Sequence, residues 1–394
     1  MLLFKKLTIL FFLSTIFFAE IVDAQDIVFI EQYYPDGSVK ERYKAFVTNG
    51  DTLKQGAYSF YFPGGAIMQE GFLLNSKPDS IWLTYHRQGT RKGQYKYKNG
   101  LKNGSFYIWF ETGVLYQSGI YIKDKLEGQL LTYHSNGTVD SESAYKNDML
   151  NGISKAYSPQ GNLLLVANYK DNQPFGQWET YHDNGTINYK GVKQGEVFAD
   201  SLFTFYNNGS IQRKAFYTNG QLHGIVKGYY PTGKLMNQSN YQNGKLEGEY
   251  IEYYNIGAIA ERGFYKSNKK DSLWQTFYPL GQKNTKGYFK DNVYNGLWTV
   301  FFENGNCKQV GLYKNGKSHG LWSYYNNQGT LILTGNYING KPNGSWTVYY
   351  PNGNIASRLF FFNGIQSGPS WMYSESGEIN RTFKTENLPS FFNK

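Results

Sequence analysis

The sequence predicts an all-β fold: an elongated, single-layer antiparallel β-meander of about fifteen hairpin repeats, each 24 residues long. Three observations lead to this prediction. The 394 residues include 36 Tyr, 28 Phe, 8 Trp and 44 Gly, and aromatic residues favour strands whereas glycine favours turns. Glycines recur at a fixed interval along the chain. Asn-Gly pairs, which are typical of tight hairpin turns, separate the aromatic-rich runs.

The fixed interval is clearest at the glycine that closes each aromatic-rich run, here called the anchor glycine. From Gly65 to Gly377 the anchor glycines are 24 residues apart, thirteen times in succession, and only the interval from Gly37 to Gly65 differs, at 28 residues. An aromatic residue stands four positions before every anchor glycine. A constant period of this length is typical of a repeat array, so chain length does not predict the number of domains. The anchor glycines are Gly37, Gly65, Gly89, Gly113, Gly137, Gly161, Gly185, Gly209, Gly233, Gly257, Gly281, Gly305, Gly329, Gly353 and Gly377.

Each repeat contains two turn motifs, such as Asn304-Gly305 and Asn315-Gly316. A two-residue type I′ turn needs positive φ at both central residues, which Asn and Gly tolerate. Each repeat is therefore predicted to be a β-hairpin followed by a connecting turn, giving about thirty strands. With Asn304 and Gly305 as the central residues, Trp298 faces Gly311 across the hairpin.

The same register places a large side chain opposite a small one in most repeats, so a ring is expected to shield the bare backbone of the glycine that it faces. The predicted pairs are Trp178–Gly191, Trp274–Gly287, Trp322–Gly335, Phe106–Gly119, Tyr250–Gly263 and Leu202–Ala215. Trp82–Tyr95 and Trp346–Leu359 depart from this pattern, which predicts a local shift of register in those two repeats.

Both faces of the predicted sheet carry aromatic residues, because side chains alternate along a strand. Trp298 lies on one face and Phe301 on the other. A second aromatic follows eight residues after the anchor glycines from Gly89 to Gly353, as in Tyr313, with Lys193 as the exception. Ring stacking is expected to hold a thin sheet together. At about 4.8 Å per strand, the fifteen repeats would form a rod of roughly 140 Å.

The first 24 residues are predicted to be a secretory signal peptide. Lys5 and Lys6 precede a 13-residue apolar run, LTILFFLSTIFFA, and Val22-Asp23-Ala24 forms a small-residue cleavage site before Gln25. The predicted domains are 1–24 signal peptide, 25–380 repeat array and 381–394 C-terminal tail. The protein is therefore expected to be exported, to the periplasm, the outer membrane surface or the extracellular space.

The pattern from Gly296 to Gly316, GLWxxxxxxG followed by a glycine, an aromatic and Asn-Gly, resembles the MORN repeat, and more closely its bacterial variant. The resemblance covers about residues 30–380. Similar bacterial proteins include YwqK-like antitoxins of toxin–antitoxin systems, and eukaryotic MORN arrays are implicated in membrane attachment and scaffolding. The resemblance implies a β-hairpin array without shared catalytic residues.

The histidines and the single cysteine predict no active site or metal site. His86, His134 and His182 share one register, and successive members would lie about 19 Å apart, too far to share a zinc ion. His223 and His319 fall in connecting turns, four repeats apart. Cys307 has no His-Asn partner in a defined place. No catalytic, metal-binding or cofactor-binding residue is therefore assigned, no cofactor is expected, and the protein is predicted not to be an enzyme.

The basic composition leaves two interpretations open. The formal net charge is +10, and many lysines fall in turns, such as Lys98, Lys146 and Lys314. They could attract anionic lipid, glycan or nucleic acid, with nucleic acid the least expected partner of an exported protein. Alternatively, they discourage aggregation at turns and strand edges. Asn-x-Ser/Thr triplets such as Asn136-Gly137-Thr138 match a glycosylation motif but are interpreted as hairpin turns.

Two functional hypotheses follow. The first is an exported, non-enzymatic repeat protein whose surface binds a protein or envelope partner as a scaffold. The second is an antitoxin or immunity protein that neutralises a toxin by direct contact, which rests on the resemblance alone. The sequence assigns neither the partner-binding residues and the face that carries them nor the oligomeric state.

Overall fold

The computed structural model describes residues 27–48 and 51–383. The predicted signal peptide and residues 384–394 of the predicted tail lie outside these ranges. The chain divides into two compact units, residues 1–127 and 128–394. The described residues form 32 strands and no helix, so no helix among them could cross a lipid bilayer.

The strands of the first unit alternate with short turns, and the last of those listed here, β9, continues into the second unit. They are β1 (Ile27–Tyr33), β2 (Val39–Thr48), β3 (Asp51–Tyr61), β4 (Ile67–Leu74), β5 (Lys77–Tyr85), β6 (Arg91–Lys98), β7 (Leu101–Trp109), β8 (Leu115–Ile122) and β9 (Lys125–Tyr133).

The second unit follows the same pattern. Its further strands are β10 (Val139–Lys146), β11 (Met149–Tyr157), β12 (Leu163–Lys170), β13 (Gln173–Tyr181), β14 (Ile187–Gln194), β15 (Val197–Phe205), β16 (Ile211–Thr218), β17 (Gln221–Leu222), β18 (Gly224–Tyr229), β19 (Leu235–Gln242), β20 (Lys245–Tyr253), β21 (Ile259–Lys266), β22 (Lys269–Phe277), β23 (Lys283–Lys290), β24 (Val293–Phe301), β25 (Cys307–Lys314), β26 (Lys317–Tyr325), β27 (Leu331–Ile338), β28 (Lys341–Tyr349), β29 (Ile355–Phe362), β30 (Ile365–Gln366), β31 (Ser370–Tyr373) and β32 (Ile379–Phe383).

Within each unit, strands that are neighbours in sequence pair antiparallel, so the predicted all-β meander of hairpin repeats is confirmed. Two repeats have an interrupted strand. The break between β17 and β18 falls at His223, and the break between β30 and β31 covers residues 367–369. Neither of these two repeats carries an aromatic residue seven positions before its anchor glycine.

The turn at the anchor glycine is not the predicted type I′ turn. In the hairpin of β24 and β25, Gly305 N–H donates to the Phe302 carbonyl at 2.9 Å, and Phe302 N–H donates to the Asn306 carbonyl at 2.9 Å. Gly305 has φ +86°, whereas Asn304 is not among the residues with positive φ. This is a type I turn closed by a left-handed glycine. A bulge beyond it shifts the register by one residue.

The connecting turn is of the predicted type. Asn315 has φ +50° and Gly316 has φ +78°, so both central residues are left-handed, as type I′ requires. Four residues later, Gly320 has φ +70° at a bulge where the register between β25 and β26 changes. Ser272 adopts φ +60° at the same place in another repeat, so glycine is favoured there but not obligatory.

The predicted cross-strand register is confirmed. The type I turn has a different geometry from the predicted type I′ turn, but the one-residue bulge beside it brings the two strands into the same alignment that a type I′ turn would give. Trp298 faces Gly311, and the other six predicted pairs also occur. Trp82 faces Tyr95 and Trp346 faces Leu359 in this same register, so the predicted local shifts are wrong. A larger partner is accommodated there without displacement of the strands.

Five of the eight tryptophans each cover a glycine of the preceding hairpin. A Cβ atom added to Gly311 would lie 2.1 Å from Cδ2 of Trp322, although Trp322 faces Gly335 within its own hairpin. The Trp322 indole N–H also donates to the Leu312 carbonyl at 3.2 Å. One side chain thereby joins two successive repeats. The same cover occurs in the pairs Trp82–Gly71, Trp274–Gly263, Trp298–Gly287 and Trp346–Gly335.

We expect Gly311→Ala to lower the free energy of unfolding by about 1–3 kcal/mol, because the new methyl group would overlap the Trp322 ring. Urea unfolding followed by circular dichroism measures this. In a Trp322→Val background the ring is gone, so the cost of the alanine should largely disappear. An equal cost in both backgrounds would contradict the proposed contact between the ring and the glycine.

Candidate partner-binding surfaces

Strand alternation gives the sheet two chemically different faces. We call the side that bears Trp298 the ring face and the side that bears Leu297 the stripe face. On the ring face Trp274, Trp322 and Trp346 are only 1–2% exposed, so the core lies there. The main residues of the ring face are Tyr58, Trp82, Phe106, Trp178, Tyr250, Trp274, Trp298, Trp322 and Trp346, with Tyr97, Tyr121, Tyr265, Phe289, Tyr313, Tyr337 and Phe361 between them.

The rings of this face meet mainly edge to face, and stacked pairs such as Tyr250 and Trp274 are fewer. Tyr313 and Trp322 have centroids 5.1 Å apart and planes at 87°, and the next pair, Trp322 and Tyr337, has 5.9 Å and 81°. The positive edge of one ring meets the negative face of the next, a favourable arrangement for aromatic pairs. The ring face therefore forms a narrow core of alternating ring orientations.

Several lysine side chains lie over rings of the ring face. Lys270 Nζ lies 3.8 Å from the centroid of Trp274 and forms an ion pair with Glu261. Lys54 repeats this arrangement with Tyr43 and Glu41 in the first unit. Lys193, the exception to the aromatic pattern, lies 4.3 Å from the ring centroid of Trp178. Its ammonium group thus replaces a ring-to-ring contact by a cation–π contact.

The stripe face exposes a row of apolar side chains. Leu297 and Leu312 face each other directly and are 50% and 44% exposed. Exposed apolar residues lie on five of the six strands from β21 to β26, and Leu273 of the remaining strand, β22, is partly buried. We call Phe264, Tyr288, Leu297, Leu312 and Leu321 the apolar stripe. A contiguous exposed apolar surface of this kind is typical of an interaction site.

A row containing basic residues runs beside the apolar stripe. Arg262, Gln275, Lys286, Thr299 and Val310 are direct cross-strand neighbours in that order. The Arg262 guanidinium lies 5.5 Å from the ring of Phe277 in the next repeat. The same placement of a cation over the following ring recurs in the pairs Arg42–Tyr61, Lys190–Phe205 and Lys214–Tyr229.

Three of the histidines fasten one repeat to the next. His134 Nε2 lies 3.0 Å from the carbonyl oxygen of Tyr157, and His86 and His182 make the same contact with Trp109 and Phe205. In other repeats a tyrosine hydroxyl donates to the equivalent carbonyl. These pairs are Tyr34–Tyr61, Tyr206–Tyr229, Tyr230–Tyr253, Tyr254–Phe277, Tyr278–Phe301 and Tyr350–Tyr373. The histidines therefore have a structural role.

The remaining candidate residues stay dispersed. The backbone N–H of His223 donates to the Phe216 carbonyl, and His319 Nδ1 is buried without a hydrogen bond. Burial raises the pKa of the Cys307 thiol, which favours the protonated form. No cluster of His, Cys, Asp or Glu suited to a metal ion occurs in the described residues.

The turn lysines are exposed, and the Asn-x-Thr triplet lies in a hairpin turn. Lys314 faces Lys317 across a connecting turn, and both are exposed. Asn136 donates from Nδ2 to the Pro159 carbonyl at 2.8 Å and accepts from the Thr138 hydroxyl at 2.7 Å. The asparagine of this triplet thus ties one hairpin turn to the next.

Sequence reasoning missed the apolar stripe. Its pattern is present in the sequence: isoleucine or leucine stands eight residues before several anchor glycines, as in Ile81, Ile153, Ile225, Leu297 and Leu321. Alternation alone could not show that this position is exposed, because both faces carry large side chains. The tryptophans on the ring face are buried, which shows that the isoleucines and leucines lie on the exposed face.

Five segments of the chain match the family model of the MORN repeat variant. They are residues 126–147, 150–171, 222–243, 294–315 and 342–363. Each matched segment spans the first turn of a hairpin and the two strands beside it, so these MORN repeats coincide with the β-hairpins of the structure. None of the curated proteins compared with the chain matches it.

Solved structures with similar segments belong to much longer chains. The TcdB2-TccC3 crystal structure is 11% identical over 88% of this chain and 27% of its own, with a TM-score of 0.16. The TcdB2-TccC3-Cdc42 structure is 10% identical over 88% of this chain and 27% of its own, with a TM-score of 0.15. The Photorhabdus luminescens Tc holotoxin pore is 11% identical over 88% of this chain and 23% of its own, with a TM-score of 0.15. This chain thus spans about a quarter of their length. TM-scores this low carry no functional information.

Alkaline pH should destabilise the protein through its tyrosines. Burial, followed by Glu179, raises the pKa of Tyr181 from 10 to about 12, and burial likewise raises the pKa of Tyr58, Tyr250 and Tyr324. Between about pH 10 and 12 the unfolded chain loses phenolic protons that the folded chain keeps, so the free energy of unfolding falls.

Urea midpoints measured from pH 9 to 12, with tyrosinate absorbance recorded in parallel, test this expectation. Tyr181→Phe should make the urea midpoint fall less between pH 10 and 12. Below pH 10 the midpoint of this variant should depend on pH in the same way as that of the wild type. A midpoint that stays constant throughout the interval would contradict it.

Proposed function

We propose that the chain is a non-enzymatic binding or scaffold protein that engages a protein partner through the apolar stripe. The MORN repeats and the repeated β-structure suggest a binding or scaffold role, since repeat arrays commonly bind along extended surfaces. The observation that carries the choice of surface is the exposure of five large apolar side chains in one row, 43–58% each.

The difference in burial between the two faces supports the choice of the apolar stripe. The rings of the ring face bury one another, and their tryptophans are nearly inaccessible. The apolar stripe has no comparable cover among the described residues, although its leucines face each other across the strands. Apolar anchors of this kind contribute most of the binding free energy at protein interfaces when a partner excludes water from them.

The charge beside the stripe defines the chemistry of the partner. Arg262 and Lys286 lie in the adjacent row, and the whole chain has a formal net charge of +10. We therefore propose a partner whose contact surface is apolar at its centre and acidic at its rim. Rim charges mainly accelerate association, and salt screens them within about 8 Å at physiological ionic strength.

The proposal contains no catalytic step. The side chains that most often perform catalysis serve the fold here: His86, His134 and His182 fasten successive repeats, and the pKa of Cys307 is raised. It also places the protein outside the cytoplasm. That part rests on the predicted signal peptide, and the exported protein should then begin at Gln25, which N-terminal sequencing checks.

Loss of the stripe should abolish partner binding. In Leu297→Asp/Leu312→Asp, two anchors become carboxylates that repel an acidic rim, and we expect at least a tenfold loss of affinity. Crosslinking in the native cell with mass spectrometry identifies the partner, and titration of the purified pair measures the affinity. Retention of full affinity by this variant would refute the stripe as the binding surface.

The matched control is Leu280→Asp/Ile338→Asp, which adds the same charges at an exposed turn residue and at the exposed last residue of β27, 86% and 50% accessible. It should bind like the wild type. Circular dichroism and thermal unfolding of both variants separate lost binding from lost folding. The identity of the partner also decides the alternative implied by the resemblance, since a toxin recovered through the stripe would make this chain an antitoxin.

A further inference from the structure

The row of rings on the ring face is interrupted in the middle of the second unit. Seven residues before the anchor glycine, where Trp178 and Tyr250 stand in flanking repeats, the chain has Leu202 and then Val226. The second of these repeats also has the break between β17 and β18. The smaller side chains leave a cavity of about 530 Å³ that we call the notch, lined in part by Arg213, Val226, Gly228, Asn237 and Tyr250.

Polar groups converge on the notch from one cross-strand row. Thr204, Arg213, Gly228 and Asn237 face one another in sequence across four strands. Gly228 contributes no side chain, and the Asn237 Oδ1 atom lies 2.8 Å from the place that a Cβ atom would occupy there. The missing side chain thus lets the Asn237 amide lie over β18, beside Arg213.

The Arg213 guanidinium is only partly exposed and has neither a hydrogen bond nor an ion pair to any residue in the described part of the chain. In two other repeats the residue at this position is charged and has a partner of opposite charge. Four residues after their anchor glycines stand Glu41 and Glu261, which form ion pairs with Lys54 and Lys270 of the next repeat.

In the notch this position carries the positively charged Arg213 instead of a glutamate. The position that Lys54 and Lys270 occupy in their repeats is Leu222 here, so no acid lies there to pair with Arg213. The guanidinium therefore has no counter-ion among the described residues, and an incoming anion would supply one through charge-assisted hydrogen bonds.

We propose that the notch binds a carboxylate-bearing sugar. Arg213 would hold the carboxylate through paired N–H donors, a geometry that guanidinium and carboxylate share. The Asn237 and Gln212 amides would bind ring hydroxyls, and the Tyr250 ring would cover the apolar side of the sugar. The volume falls within the range of small-molecule sites, and no carboxylate lines the cavity in the described structure.

The chain itself supplies a way to fill the notch. Trp178 faces Ala167 across neighbouring strands, so a tryptophan at this position tolerates an alanine partner. Ala215 stands in the equivalent place beside Val226. Val226→Trp should therefore restore the regular row of rings and occupy the cavity while keeping the fold. The notch lies on the ring face, so its test is independent of the apolar stripe.

Isothermal titration calorimetry of the full chain with D-glucuronate and D-galacturonate tests the proposal. We expect binding of at least one of them, with D-glucose and D-galactose at least about tenfold weaker because they lack the carboxylate. Arg213→Gln should weaken binding of the sugar acid at least about tenfold, and Val226→Trp should abolish it.

The matched control is Arg262→Gln, which removes a guanidinium from the stripe face, where it donates to Gln275. It should leave binding unchanged. Failure of both sugar acids to bind, equal binding of the neutral sugars, or equal binding of inorganic phosphate would each overturn the proposal. So would full affinity in folded Arg213→Gln, with folding checked by circular dichroism.

Discussion

The contact on which the rest of the structure depends is the tryptophan laid over a glycine of the preceding hairpin. The Trp322 ring occupies the space above Gly311, and its indole N–H satisfies the Leu312 carbonyl beside a bulge. Where the tryptophan is replaced by Val226 or Ser370, a backbone N–H takes over that hydrogen bond, from His223 or Ser367, and the strand breaks. Each tryptophan that covers a glycine thus joins its repeat to the preceding one, so each of these repeats depends on its neighbour.

The period, the hairpins and the register could all be predicted from the sequence, because the anchor glycine and the aromatic residue four positions before it recur in every repeat. Two details could not. Asn-Gly fits both a type I′ turn and a type I turn closed by glycine, and the backbone of Asn304 decides between them. Gly311 lies between Trp298 and Trp322 on neighbouring strands, and spacing alone does not show which ring covers it.

The candidate surfaces were harder to predict, since both faces carry large apolar residues. Only burial separates them: Trp346 is 1% exposed and Leu321 58%. Arg213 looks ordinary in a chain with 40 lysines and arginines. It becomes informative only by comparison with Glu41 and Glu261 at the same place in other repeats, together with the small residue at 226. In a repeat protein, departures from the common pattern show where an individual site can arise.

The hydrogen bonds that run from each anchor turn to the following one have an evolutionary consequence. Tyr230 reaches the carbonyl of Tyr253, and Tyr254 reaches that of Phe277, so the acceptor lies 23 residues ahead of the donor wherever the period is 24 residues. Removing or duplicating one whole repeat would leave every such bond with an equivalent partner, whereas inserting a single residue would exchange the two faces downstream. Genes of this architecture should therefore lengthen and shorten by unequal recombination in whole modules, with point mutations left to diversify individual sites.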